Sequence, residues 1–143
     1  MRTNRRLVTI VSAILLIAGL VLPMSASAGR YSHRIGFMFV PRNTTQDYTL
    51  TVGEVSVTIP AGALPHGGPV LVHVVTDSAG RFRADFLPDY TFAKPVLMEF
   101  GDAPFVYYHA GTDLIRIETS DVDGDGDVGE VWMGHFSRYS GWF

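Results

Sequence analysis

The sequence contains no cysteine. That excludes disulfide staples and a lipid-modified N-terminal cysteine. Basic charge is also scarce. The formal net charge is −3, and beyond residue 28 eight Lys and Arg stand against fourteen Asp and Glu, a balance of −6. Nucleic acid and anionic membrane both attract basic surfaces, so neither fits as a partner. No window carries an apolar period near 3.6 over a useful length, which argues against amphipathic helices. The longest apolar run, Leu7 to Leu22, is interrupted by Thr9, Ser12 and Gly19, and it falls short of the roughly 20 residues a membrane helix needs. Low-complexity stretches, linkers and internal repeats are missing as well. So are a Ser-His-Asp arrangement, paired catalytic carboxylates and a phosphate loop.

What is present begins with an export signal. Arg2, Arg5 and Arg6 precede that apolar run, Pro23 breaks it, and Ala26-Ser27-Ala28 offers small residues for cleavage. Residues 1–28 therefore read as a signal peptide, and 29–143 as one secreted or periplasmic domain without a membrane span after cleavage. A chain of this length buries enough surface to fold without staples.

The remainder is a succession of short alternating runs, with Val55 to Leu64 (VSVTIPAGAL) at the centre. Val55, Val57 and Ile59 point one way and Ser56 and Thr58 the other, as in a strand buried on one face. Pro60 and Ala61-Gly62-Ala63 then form a corner. Ile35, Phe37 and Phe39 alternate in a first strand, and Tyr48, Leu50 and Val52 in a second. Val70 to Thr76 is apolar on both faces except at His73, which reads as an interior strand. Phe82, Ala84 and Phe86; Val96, Met98 and Phe100; Phe105 to Tyr108; Ile115 and Ile117; and Val131 and Met133 supply further strands. Gly, Pro and Asp punctuate them. The pattern predicts an all-β fold, an antiparallel β-sandwich of short strands.

Four pieces in order resemble a ZU-five domain, the module of zonula occludens proteins, netrin receptors and ankyrins. They are VSVTIPAGALP (Val55 to Pro65), FAKPV (Phe92 to Val96), VYY (Val106 to Tyr108) and HFSRYS (His135 to Ser140). The resemblance implies a β-sandwich that binds protein and turns over no substrate, here facing an unknown protein or envelope component. It departs from the family in lacking a following UPA or death domain. In some such domains a His-Phe-Ser is a self-cleavage site. By that resemblance, Ser137 Oγ would attack the Phe136 carbonyl while His135 moves protons, and water would release the ester. Otherwise the three residues are structural.

Asp121, Asp123, Asp125 and Asp127 place carboxylates at alternate positions around Gly124 and Gly126. Hard oxygens at that spacing suit calcium, although Trp132 stands where a bidentate glutamate would close such a loop, and Glu130 comes two residues early. The same residues also make a long hairpin turn between the Ile115 and Val131 strands. No cofactor is required under either reading. Tyr107, Tyr108, Tyr139, Trp132 and Trp142 are candidates for a glycan- or peptide-binding face, or for the core.

Overall fold

The computed structural model describes residues 30–143. The expected signal peptide, 1–28, lies outside the described residues. Ten strands follow in order: β1 Tyr31–Val40, β2 Tyr48–Val52, β3 Val55–Ile59, β4 Gly68–Asp77, β5 Arg81–Leu87, β6 Thr91–Phe100, β7 Phe105–Ala110, β8 Asp113–Glu118, β9 Glu130–His135 and β10 Arg138–Trp142. All ladders are antiparallel. They form a six-stranded sheet, β1-β4-β5-β10-β7-β8, and a four-stranded sheet, β2-β3-β6-β9. The two pack face to face as the expected sandwich.

The core lies where the alternation predicts. Val55, Val57 and Ile59 of β3 are buried with Val96, Met98 and Phe100 of β6 on one sheet. Val70, Val72, Val74, Phe82, Ala84, Phe86 and Tyr139 face them from the other. Phe100 stacks on Phe82 at 5.7 Å between ring centroids, meets Phe86 edge-on at 6.1 Å and Tyr139 at 5.4 Å. Such aromatic contacts across the gap contribute beyond the area they bury. The corner after β3 is tied on both sides. Asp47 accepts from the Ala61 amide at 2.9 Å, and the Ala93 amide donates to the Ala63 carbonyl at 2.9 Å.

Three expectations change. The first strand exists, but Ile35, Phe37 and Phe39 face solvent, 68%, 63% and 60% exposed. The alternate residues Gly36, Met38 and Val40 face the second sheet instead. A Cβ on Gly36 would lie 2.3 Å from Val52 Cγ2, so β1 meets β2 closely only because position 36 carries no side chain. Next, Ser56 is 6% exposed although it lies on the outward face of β3, where Thr51 and Glu99 are its cross-strand neighbours. Finally, Asp121 to Asp127 is no hairpin turn. Strand β8 belongs to the six-stranded sheet and β9 to the four-stranded one, so the acidic segment crosses from one sheet to the other. An isolated antiparallel bridge between Ser120 and Glu130 closes its base.

Burial on both faces of β3 leads to a stability prediction. Val57→Asp should destabilise by more than about 4 kcal/mol, since it puts an unpaired charge into the core. Ser56→Asp should also destabilise, by about 1–3 kcal/mol, because it sets a second carboxylate beside its cross-strand partner Glu99. Urea denaturation of both variants checks this. A neutral Ser56→Asp would show that the outer face of β3 is open.

Candidate functional site

Cross-strand pairing builds a polar row on the outer face of the four-stranded sheet. Thr51 pairs with Ser56, Ser56 with Glu99, and Glu99 with Glu130. Residues opposite one another in a ladder share a face, so these four side chains stand side by side. Glu99 faces outward because Met98 and Phe100 on either side face the core. The acidic crossover lies at the end of this row, held by Glu130. That carboxylate is only 1% exposed, and its Oε2 accepts from the amides of Val122 at 2.5 Å and Asp123 at 3.1 Å. Asp121 accepts from Gly124 and Gly126, Asp123 from Asp125, and Asp125 from Asp127, which curls the segment tightly. Farther along, the Phe100 amide donates to the Gly129 carbonyl at 2.9 Å.

This geometry divides the predicted metal residues. Asp121, Asp123 and Asp125 have carboxylate oxygens within 4.8 Å of one another, and so do Glu99, Asp125 and Asp127. Asp125 belongs to both sets. Glu99 was not legible as a ligand, since it lies far from the acidic segment in sequence and reaches it only by strand pairing. Burial pushes the Glu99 carboxyl above its ordinary value, reinforced by the charges of Glu130, Asp125, Asp123 and Asp127.

The tail His135-Phe136-Ser137 sits where β9 passes into β10. Phe136 is buried, 4.8 Å from Phe92 and 5.5 Å from Phe86 between centroids. Its amide donates to the Tyr90 carbonyl at 2.9 Å, and the Ser137 carbonyl accepts from Phe86 at 3.0 Å. The His135 ring meets Tyr108 edge-on at 5.0 Å, whereas Ser137 Oγ donates to the His109 carbonyl at 3.5 Å. Each of the three therefore has a packing or backbone-holding task. The strand that follows is interior, between β5 and β7.

Beside this turn lies a cleft lined by Asp85, Asp89, His109, Ser137 and Arg138, and His109 forms a pair that the sequence did not suggest. His109 Nε2 lies 2.9 Å from Ser140 Oγ. Burial lowers the His109 pKa, helped by Arg138 and opposed by Asp85. Asp85 pairs with Arg138 at 2.5 Å and Arg83 at 3.4 Å. The pair of His109 and Ser140 ties β10 to β7 through a side-chain hydrogen bond.

The aromatic candidates disperse. Tyr139 belongs to the core, Tyr107 and Tyr108 are half-buried, and Trp132 and Trp142 are exposed on different sheets. A different apolar surface stands out. Ile35, Phe37 and Phe39 project from the outer face of edge strand β1, and across β4 the same face carries the exposed Leu87 of β5, opposite Leu71.

The raised Glu99 pKa predicts a pH dependence. An acid whose folded pKa exceeds its unfolded value of 4.5 penalises the fold when both states are ionised, and the penalty vanishes below the unfolded value. Glu99→Gln should therefore raise the melting temperature at pH 7 in chelator. The gain should fade as the pH falls towards 4.5, as followed by circular dichroism. An equal gain at both pH values would show that Glu99 is unstrained.

No protein-family model matches the chain, and no curated protein and no solved structure matches it significantly.

Proposed function

We propose that the chain is an exported β-sandwich module of ZU-five type that binds another polypeptide through β1 and turns over no substrate. The observation that carries this reading is the strip Ile35, Phe37 and Phe39, each more than half exposed on one face of an edge strand. Monomeric proteins rarely leave adjacent large apolar side chains in water without use for them. Strand β1 is ten residues long and pairs on one side with β4. A partner segment adding along its other side would gain main-chain hydrogen bonds, with its own alternate apolar residues against the strip. The segments that resemble ZU-five domains support the same class of role, and the N-terminal pattern of basic, apolar and small residues supports export.

Selection of random dodecapeptides displayed on phage tests the binding mode. Enriched peptides should carry apolar residues at every second position. Changing Ile35, Phe37 and Phe39 together to Thr should weaken their binding at least ~30-fold, equivalent to about 2 kcal/mol, and leave the melting temperature nearly unchanged because the three are exposed. Peptides that bind the triple variant equally well would overturn the proposed face.

Intact mass tests the absence of turnover. The folded protein, denatured just before measurement, should keep its Phe136–Ser137 bond, and Ser137→Ala should give the same species less one oxygen. Recovery of the heptapeptide Ser137 to Phe143 from wild type alone would make Ser137 a nucleophile.

A further inference from the structure

We propose that Glu99, Asp125 and Asp127 bind a calcium ion on the outer face of the four-stranded sheet, above Ser56 and beside Glu130. The site combines a strand, β6, with the acidic crossover, so it is distinct from a calcium loop closed on itself. Its three carboxylates bring oxygens within 4.8 Å of one another, a separation that one ion with 2.3–2.6 Å bonds can bridge.

The independent observation is the pair of orphaned oxygens beneath them. Among the described residues, the buried side-chain oxygens without a hydrogen-bond partner are Ser56 Oγ and Glu130 Oε1. Both residues are more than nine-tenths buried, and both are cross-strand neighbours of Glu99, one on each side. Ser56, Glu99 and Asp127 line the same cleft, about 310 Å³ in volume. A buried oxygen without a donor is costly. Ser56 lines the cleft with Glu99 and Asp127, and Glu130 flanks Glu99 on the other strand, so a cation seated on the cluster would lie beside both residues whose oxygens lack a donor.

Charge points the same way. The ion pairs of the described residues use Asp77, Asp85 and Glu118, so no Lys or Arg neutralises the cluster. The turn bonds of the crossover engage Asp121, Asp123 and Asp125, but none uses the Glu99 or Asp127 carboxylate. Those two remain available. Three carboxylates with hydroxyl and water oxygens form an all-oxygen set, and ligands drawn from a strand and an irregular crossover suit the irregular six to eight contacts of calcium better than the strict octahedron of magnesium.

Calorimetric titration of the purified, chelator-stripped protein with calcium chloride at pH 7 tests the site. One ion should bind with a Kd of roughly 10⁻⁴ to 10⁻³ M, the range of extracellular modules. The melting temperature should rise by roughly 5 °C at ten times Kd. Glu99→Gln and Asp127→Asn should each weaken binding at least ~10-fold while the far-ultraviolet spectrum stays that of the folded protein. Ser56→Ala, which removes an unpartnered hydroxyl and so keeps the fold, should weaken it by a smaller factor. Asp121→Asn should retain binding. Absence of heat up to about 10 mM calcium would overturn the proposal. So would calcium binding that survives Glu99→Gln and is lost in Asp121→Asn, because the ion would then lie within the crossover alone.

Discussion

The contact on which the rest of the structure depends is Phe100 of β6 enclosed by Phe82, Phe86 and Tyr139 of the opposite sheet. It joins two sheets that share no ladder among the described strands. It also sets direction. A strand alternates, so fixing Phe100 and Met98 inward sends Glu99 outward between Ser56 and Glu130. The oxygen-rich row is thus a geometric consequence of the apolar bolt behind it. Losing the bolt would cost the fold its packing and the row its alignment together.

How much of this was legible depends on whether the signal is local. The strands were, because period-two alternation is written in consecutive residues, and β3 buries Val55, Val57 and Ile59 as its pattern requires. Which side of an alternating strand meets the core is a different matter. In β1 both rows contain apolar residues, and the bulkier one, Ile35, Phe37 and Phe39, lost to Gly36, Met38 and Val40. The reason is steric: Leu50 and Val52 approach so closely that only glycine fits at position 36. Composition favours the larger side chains for burial, whereas the approach distance of a neighbouring strand decides.

The candidate site shows the same limit. The four aspartates of the crossover were evident, but their partner Glu99 was not, since strand pairing supplies it from a distant part of the chain. Nor was the role of Glu130, which stands two residues early for the closing ligand of a calcium loop. It acts from inside, accepting two backbone amides and anchoring the crossover's first residues. The hairpin reading failed because sequence neighbours β8 and β9 belong to different sheets. The sheets differ in width, so strands at the flanks of the wider one have less to pack against, as the exposed Ile115 of β8 illustrates.

The placement of β10 bears on how the chain reaches this state. The six-stranded sheet consists of β1-β4-β5 on one side and β7-β8 on the other, and the last described strand joins them. Until Arg138 to Trp142 has been made, β5 and β7 each present an unpaired edge, and Phe86 and Phe100 lack Tyr139 as a neighbour. Open edges flanked by uncovered aromatics are what draws nascent chains into aggregates. The vulnerable species is therefore the chain in which β10 has yet to pair, with the β5 and β7 edges and the Phe86 and Phe100 rings open together.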